Sequence, residues 1–414
     1  MARDDTAPHL GVSQREFIAL VAAMMAIGAL GVDMMLPALP RIGAGLGVTN
    51  ANAVQYIIAA YSFGFGAGQL IHGPLADRYG RKPVLVVALL GFVAMSFVAA
   101  ASASLTLLIA ARAVQGMFGA ATRVLVVSVV RDCYQGRTMA RIMSLASMLF
   151  FIVPILAPSL GAVLLLIGSW RWNFWVLGIL AAAILAWTAT RLPETLHPGD
   201  RREISVASLT AAYRIILTNR FSLGYAIGQA LSFGGLMGYI LSSEQIVAGT
   251  FGRPGAFPVV FAVIALAMGC SVFANSRLVE RFGTRKLSHG AMLAAIAIAL
   301  LHISIIIFGH ETLTTFVALQ ALQMTTFGLI GANFSAMAME PVGHIAGTAS
   351  SVQGFIGNAG GAAIGALIGQ AYDGTTLPLA IGLALGASAA LAVVLIVERG
   401  RLFVPHHADP RPKG

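Results

Sequence analysis

The sequence is poor in charged residues. Aspartate, glutamate, lysine and arginine make up 10% of its 414 residues, whereas about 25% is usual for a soluble domain. Apolar residues make up 58%, and so few charges cannot cover that much apolar surface in water. This composition argues against a soluble enzyme, a nucleic-acid-binding protein and a disordered chain, and it predicts an integral membrane protein.

Cysteine is scarce, and several functional motifs are missing. Cys133 and Cys270 are too few for a disulfide framework, and no cysteine or histidine spacing indicates a metal site. The sequence has no phosphate-binding loop, and Gly64-x-Gly66-x-Gly68 has the wrong spacing for a dinucleotide site. No arrangement of serine, histidine and aspartate indicates a catalytic centre. We therefore expect neither an enzyme nor a protein that uses ATP, a metal or another cofactor.

Long apolar runs dominate the sequence instead. The first, at residues 17–39, is longer than the apolar part of a signal peptide and matches the roughly 20 residues with which a helix crosses a bilayer. Further runs follow at 53–75, 84–103, 105–127, 142–167, 173–190, 221–243, 257–274, 287–308, 313–338, 346–368 and 377–397. Because unpaired backbone groups are costly in lipid, all twelve runs are predicted to be transmembrane helices.

Lysine and arginine are distributed unevenly over the connecting segments. With the N terminus in the cytoplasm, 21 of these 26 residues lie on the cytoplasmic side, three lie on the opposite side, and Arg112 and Arg123 lie within helices. This distribution predicts a multi-pass protein with both termini in the cytoplasm. It also accounts for the net charge of +10 without a nucleic-acid partner.

A polar segment divides the chain into two halves. It contains several prolines and charges and is predicted to be a cytoplasmic linker. The expected order is a cytoplasmic tail, a six-helix bundle, the linker, a second six-helix bundle and a second cytoplasmic tail, at 1–16, 17–190, 191–220, 221–398 and 399–414.

The two halves contain a related loop. Residues 73–82 and 276–285 lie 203 positions apart and pair leucine with leucine, aspartate with glutamate, arginine with arginine and glycine with glycine. Asp77 thereby corresponds to Glu280. Internal duplication of helical bundles around a central site is typical of secondary transporters.

The first of these loops resembles the signature loop of the major facilitator superfamily. The matching residues are Gly73-x-Leu75-Ala76-Asp77-Arg78-x-Gly80-Arg81-Lys82. Other stretches resemble motifs of this superfamily and of its bicyclomycin/chloramphenicol-resistance (Bcr/CflA) drug exporters, namely Asp33-Met34-Met35-Leu36-Pro37-Ala38-Leu39-Pro40, Arg112-x-x-Gln115-Gly116, Val130-Arg131-Asp132, Pro154-x-x-Ala157-Pro158-x-x-Gly161 and Leu192-Pro193-Glu194-Thr195.

The resemblance implies an all-α fold of twelve transmembrane helices in two pseudo-symmetric bundles. It also implies proton-driven export of small hydrophobic or amphiphilic compounds, such as antibiotics, across the lipid bilayer of the bacterial inner membrane. The expected exporter is a monomer that works by alternating access. Some relatives have a second acid two turns before the aspartate of helix 1, and this sequence has Met25 there.

Asp33 and Arg112 are the candidate proton-coupling residues. At 1.5 Å per residue each lies about 10 Å from the outer end of its helix, and a charge at that depth is expected to face a polar interior. A carboxylate balanced between burial and a nearby arginine can exchange a proton near neutral pH. The alternatives are a static ion pair and an aspartate that extends outward. Arg123 is expected to extend to the cytoplasmic surface.

The two related loops provide the candidate gating residues. Asp77 can pair with arginines or with a helix N-terminus, and contacts made in only one conformation favour that conformation. The simpler alternative is that the basic residues only determine the topology. The candidate gating residues are Gly73, Asp77, Arg78, Gly80, Arg81, Arg131, Asp132, Glu280 and Arg281.

The candidate substrate-binding residues are methionine, aromatic, polar and charged side chains within the helices: Met25, Asp33, Tyr61, Arg112, Gln115, Gln229, Phe233, Tyr239 and Asn333. Prolines are expected to bend helix 5, and small residues at four-residue spacing permit static close packing or a sliding seam between the halves. The hinge and packing candidates are Pro154, Pro158, Gly161, Gly357, Gly361 and Gly365.

Two other functions remain open from the sequence. A proton-coupled uptake symporter for a small metabolite, sugar or organic anion would have the same architecture, but few polar residues occur within the helices. A receptor or scaffold without transport is the third alternative. The duplicated loop argues against it, because a passive scaffold has no use for a gate.

Overall fold

The computed structural model describes residues 11–201 and 206–404, apart from the side chains of residues 140, 147–151 and 206–209. Parts of the two predicted tails and of the predicted linker therefore lie outside the described residues. Within the described ranges the chain is helical and contains no β-strand. The predicted all-α fold class is confirmed.

The first described range, residues 11–201, contains six long helices and one short helix. They are α1 (Gln14–Asp33), α2 (Leu39–Gly45), α3 (Tyr56–Tyr79), α4 (Arg81–Ala101), α5 (Leu105–Cys133), α6 (Gly136–Ile167) and α7 (Arg171–Arg191). Short polar side chains cap several helices: Ser13 and Ser104 accept hydrogen bonds from free amide groups in the first turns of α1 and α5.

The second described range begins with a helix inside the predicted linker, α8 (Val206–Thr218). The other helices are α9 (Arg220–Gln245), α10 (Phe257–Phe282), α11 (Thr284–Ile307), α12 (Leu313–Met339), α13 (Ala346–Phe355), α14 (Gly361–Gln370) and α15 (Leu377–Val397). A π-helical turn, Ile356–Gly360, joins α13 to α14, so the chain is helical without interruption from Ala346 to Gln370.

The long helices coincide with the predicted membrane crossings. Eight helical stretches of the described ranges are long and apolar enough to cross a membrane, and one of them, Leu313–Gln370, contains α12, α13 and α14. The predicted crossings at 53–75, 142–167 and 221–243 coincide with α3, α6 and α9. The chain is therefore a multi-pass membrane protein. Helices α1 and α3–α7 pack mainly on one another, as do α9–α12, α14 and α15, whereas α13 packs mainly on α3.

The repeated loop has the same backbone form in both halves. Gly80 separates α3 from α4 with φ of 105°, and Gly283 separates α10 from α11 with φ of 80°. Both angles lie in the left-handed region that favours glycine, so one residue suffices to end one helix and begin the next. We call the end of the molecule that contains Gly80 and Gly283 the inner end and the opposite end the outer end.

Glycines bring α3 and α5 into close contact. A side chain on Gly64 would overlap the carbonyl oxygen of Ala113, and one on Gly116 would overlap the carbonyl oxygen of Tyr61. Small residues permit this backbone approach within a membrane. The contact determines which face of α5 is turned toward α3.

The glycines of α14 pack within one half. A Cβ on Gly361 would meet the Phe233 ring, and one on Gly365 would meet Met237, both on α9 of the same half. Gly361 and Gly365 therefore lie away from the seam between the halves, and their close packing is within the second half. Gly357 lines the cavity described below.

The seam between the halves follows another face of the same continuous helix. Gly66 of α3 lies against Ala359, and Gly73 lies near Ser351, whose Oγ would be 3.4 Å from a Cβ on this glycine. Helices α6 and α10 form a second contact between the halves. These two contacts flank the space between the bundles.

Helix α6 runs without interruption through Pro154 and Pro158. Gly161 allows it to approach α1, because a side chain there would overlap the carbonyl oxygen of Met34. That the prolines make α6 a bending element during transport stays a prediction.

Candidate functional site

A cavity of about 560 Å³ lies between the two halves. Its lining comes from α1, α3, α5 and α6 on one side and from α9, α10, α12 and the π-helical turn on the other. The volume lies within the range of about 300–1,000 Å³ that is usual for small-molecule sites. Most of the lining is apolar, and among the described residues only Asp33 and Arg123 contribute charges to it.

Six of the nine candidate substrate-binding residues line this cavity: Met25, Asp33, Tyr61, Gln229, Phe233 and Tyr239. Gln229 Oε1 and the Tyr239 hydroxyl are buried and have no hydrogen-bond partner within the described part of the chain. Buried polar atoms are normally paired, so these two atoms are available to a ligand. Substrate binding by the six residues stays a prediction.

Asp33 is the last residue of α1 and lies at the outer end of the cavity. Its side chain is buried, with 5% of the residue exposed. No described side chain forms an ion pair or a hydrogen bond with its carboxylate. A lone carboxylate beside a cavity in a membrane protein is a proton-exchange candidate, because nothing in the fold requires it to stay charged.

Arg112 lies beside the end of α1 that contains Asp33. It is fully buried outside the cavity lining. Its guanidinium donates to Gln115 Oε1 and to the carbonyl oxygen of Gly31, both at 2.5 Å, and lies 4.2 Å from the centroid of the Tyr61 ring. Backbone carbonyls, the Gln115 side chain and an aromatic ring thus surround this cation, and among the described contacts it forms no ion pair with Asp33. Its role in proton coupling stays a prediction.

Gln115 and Asn333 also lie outside the cavity lining. Gln115 joins α5 to α4 by donating from Nε2 to Ser96 Oγ at 2.6 Å. Asn333 joins α12 to α10 by donating to Asn275 Oδ1 at 2.8 Å. Their hydrogen bonds to other helices account for polar side chains that the sequence alone suggested as pocket donors.

Among the arginines of α5, Arg123 lines the cavity. It is exposed, and the surface that it exposes lines the cavity. That its guanidinium extends toward the cytoplasmic surface stays a prediction. No acidic side chain among the described residues pairs with it, so it presents an unneutralised positive charge to the cavity.

Neutral hydrogen bonds between the halves close the outer end. Asn52 donates from Nδ2 to the carbonyl oxygens of Tyr372 and Gln370 at 2.8 and 3.1 Å, and Gln245 donates to Asn52 Oδ1 at 3.2 Å. Gln55 donates to Gln245 Oε1 at 2.5 Å, and Gln370 donates to the carbonyl oxygen of Asn52 at 2.6 Å. We call these five residues the outer network. The sequence alone does not indicate it, because neutral polar residues near helix ends are ordinary.

The candidate gating residues of the first half form a cluster at the inner end. Arg81 pairs with Asp77 at 2.5 Å and with Asp132 at 3.1 Å, and its backbone N–H donates to Glu194 Oε1 at 2.9 Å. All four residues belong to the same half, so the cluster ties α3, α4, α5 and the segment after α7 together.

The other gating candidates are unpaired in this conformation. Arg78, Arg131, Glu280 and Arg281 are all exposed and form no ion pair with any described residue. Arg78 and Arg281 lie beside the adjacent rings of Tyr79 and Phe282. The gating role of the candidates in both loops stays a prediction.

The second half has a charge cluster around Arg285 instead of around the gating candidates Glu280 and Arg281. Arg285 pairs with Glu398 at 2.9 Å and with Glu340 at 3.6 Å, and the Tyr225 hydroxyl donates to Glu398 at 2.5 Å. These acids directly follow α12 and α15, whereas in the first half Asp132 lies in the last turn of α5 and Glu194 follows α7. The sequence alone does not indicate this cluster, because its members lie far apart in the chain.

The buried pair of Arg285 and Glu398 predicts a large stability effect. Glu398→Ala leaves the largely buried Arg285 with only the exposed Glu340 at 3.6 Å and removes the shorter of the two hydrogen bonds of the Tyr225 hydroxyl, so the free energy of unfolding is expected to fall by about 3 kcal/mol. Chemical denaturation in detergent micelles measures this change. The control Glu280→Ala removes an exposed, unpaired acid, and a change within about 0.5 kcal/mol is expected. Equal unfolding free energies for the two variants would contradict the prediction.

Comparisons with known proteins agree with this architecture. The sequence model of the Major Facilitator Superfamily matches residues 21–366. The chain is 30% identical over 362 residues to the Bacillus subtilis protein named Uncharacterized MFS-type transporter YdgK, covering 86% of this chain and 89% of that one. It is 28% identical over 369 residues to the bicyclomycin resistance protein homolog of Haemophilus influenzae, covering 88% and 91%.

A solved structure shows the same fold. The crystal structure of a D-xylose-proton symporter superposes with a TM-score of 0.71 at 15% identity, covering 91% of this chain and 97% of that one. At this identity the likeness concerns the fold alone. From the family match, the relatives and the motifs together, the chain belongs to the major facilitator superfamily, in its Bcr/CflA type, and is a transporter of small molecules rather than an enzyme.

Proposed function

We propose that this protein is a proton-coupled exporter, a drug/H⁺ antiporter, of small hydrophobic or amphiphilic compounds. It acts by alternating access in the bacterial inner membrane, with its inner end and both termini on the cytoplasmic side. The observation that carries the proposal is the lone carboxylate of Asp33 at the closed outer end of a largely apolar cavity. The relative that is named for bicyclomycin resistance supports a drug-like cargo.

The geometry suggests how a proton is exchanged for cargo. With the outer network formed, cargo enters the cavity from the inner end and displaces the proton from Asp33. The outer network then breaks while the contacts of α3 with α13 and of α6 with α10 change, so that the cavity opens outward. Cargo leaves, and a proton from outside returns to Asp33. Each half moves as a unit, because the Arg81 and Arg285 clusters tie its helices together.

The partners are the small-molecule substrate, protons and the lipid bilayer, and the protein works as a monomer. The energy comes from the proton gradient without a cofactor. A proton-coupled uptake symporter would use the same elements in the opposite direction, so the direction of transport distinguishes the two functions.

Export is tested in an efflux-deficient bacterium that expresses the protein. Resistance to a panel of hydrophobic antibiotics is expected to rise, and an uncoupler is expected to abolish the rise because it removes the proton gradient. Inverted membrane vesicles give the direction, since an exporter accumulates its substrate inside them. Resistance that survives the uncoupler would contradict proton coupling, and accumulation only in right-side-out vesicles would indicate uptake.

A further inference from the structure

Two opposite charges face the cavity from different levels. Asp33 lies at the outer end, and Arg123 lies farther toward the inner end. Within the described residues they are the only charged members of the lining, and neither is paired with another side chain. The proposed function uses Asp33 for the proton but assigns no task to Arg123.

The helix geometry sets the distance between the two levels. Arg112 donates to the carbonyl oxygen of Gly31, two residues before Asp33, so this part of α5 lies beside the outer end of α1. Arg123 lies eleven residues farther along α5, which is about 16 Å toward the inner end at 1.5 Å per residue. The wall between these levels is apolar and aromatic, with Met25, Phe65 and Phe233 among its residues.

An unpaired charge in such a cavity determines which ligands bind well. When an apolar ligand displaces the water around a charged group, that group loses its hydration without gaining a partner, and this costs free energy. A ligand with only one charge leaves either Asp33 or Arg123 without hydration and without a partner. A ligand with both charges, one at each end, satisfies both groups.

We propose that the cavity selects zwitterionic amphiphiles, compounds with a cationic group at one end and a carboxylate at the other. The cationic group pairs with Asp33, the apolar scaffold lies against the wall between the two levels, and the carboxylate pairs with Arg123. Arginine suits this task because its planar guanidinium binds a carboxylate through two parallel hydrogen bonds. The inference rests on the proposed function, since the cationic group of the cargo takes the place of the proton on Asp33.

Binding to the purified protein in lipid nanodiscs tests this selection. The ligands share one rigid aromatic scaffold and differ only in charge: an amine and a carboxylate at opposite ends, the same amine with a methyl ester, the carboxylate alone, and both charges at one end. Isothermal titration calorimetry gives each Kd. The wild type is expected to bind the end-to-end zwitterion about tenfold more tightly than the amine ester, a difference of about 1.4 kcal/mol.

Three variants assign the selection to Arg123. Arg123→Gln is expected to bind the zwitterion and the amine ester with equal Kd, whereas Arg123→Lys keeps part of the preference because the positive charge remains. Arg277→Gln is the matched control, because Arg277 is exposed on α10 outside the cavity lining, and it is expected to keep the whole preference. Thermal unfolding of each variant confirms that the compared proteins are folded.

Several results would overturn the inference. They are equal binding of the zwitterion and the amine ester by the wild type, an unchanged preference in Arg123→Gln, and equal binding of the isomer with both charges at one end. The proposed function has a separate readout in the vesicle assay. If the protein binds the zwitterion and the amine ester equally but exports the amine ester in an uncoupler-sensitive way, the proposed exporter function is retained. Only the selection of zwitterions is then contradicted.

Discussion

Replacement of Asp33 by asparagine is expected to abolish proton-driven accumulation of substrate. Asparagine matches the shape of the side chain but binds no exchangeable proton, and no described side chain replaces it in the cavity. One proton that crosses 100 mV supplies about 2.3 kcal/mol, which corresponds to a concentration ratio of roughly 50. Asp33→Asn should lose this entire gradient in energised inverted vesicles.

A matched variant separates this effect from a general change of charge. Asp373 lies in the exposed turn between α14 and α15, where hydrogen bonds from Thr375 lower the pKa of Asp373 and keep it ionised. Asp373→Asn should accumulate substrate like the wild type. The unfolding temperature of Asp33→Asn should also be no lower than that of the wild type, because the substitution removes a buried carboxylate that has no described partner. Full accumulation by Asp33→Asn would place the proton site elsewhere.

Covalent closure of the outer end is expected to stop transport completely. The halves must separate there in every cycle of alternating access, and Asn52 Oδ1 and Gln245 Nε2 lie only 3.2 Å apart across the seam. Both residues are partly exposed, so cysteines at the two positions are accessible. With Cys133 and Cys270 replaced by serine, a short bifunctional methanethiosulfonate should join N52C to Q245C. Transport should fall to background and return when a reductant cleaves the link.

A cross-link within one half provides the control. Thr312 and Thr315 begin α12 at the outer end, and their Oγ1 atoms are also 3.2 Å apart. The pair T312C and T315C should be joined by the same reagent without loss of transport, because both positions move with the second half. A fully cross-linked N52C/Q245C protein that transports at the normal rate would exclude movement at the outer network.

Helices and family follow from the sequence because the bilayer restricts the choice of structure. An apolar run of about 20 residues in lipid has to satisfy its own backbone groups, and a helix does so. The signature loop likewise predicts a tight helix-to-helix turn at Gly80, and Gly283 repeats it in the second half. These features depend on residues that are close together in the chain.

The candidate site was predictable only where a single residue is informative. A carboxylate in an apolar helix is costly, so Asp33 stands out without any knowledge of its neighbours. The outer network and the Arg285 cluster do not stand out, because each depends on pairs such as Asn52 with Gln370 that lie far apart in the chain. Only packing of the two halves shows that they meet.

The two arginines of α5 show where the sequence stops being sufficient. They are eleven residues apart, which is close to three helical turns, so helical periodicity places Arg112 and Arg123 on nearly the same face. By itself the sequence determined that two cations lie inside one helix. Tertiary structure decided their tasks: Tyr61 and the end of α1 cover Arg112, whereas the cavity lies open at the level of Arg123. The physical reason is that periodicity fixes the direction of a side chain, while the neighbouring helices determine what lies in that direction.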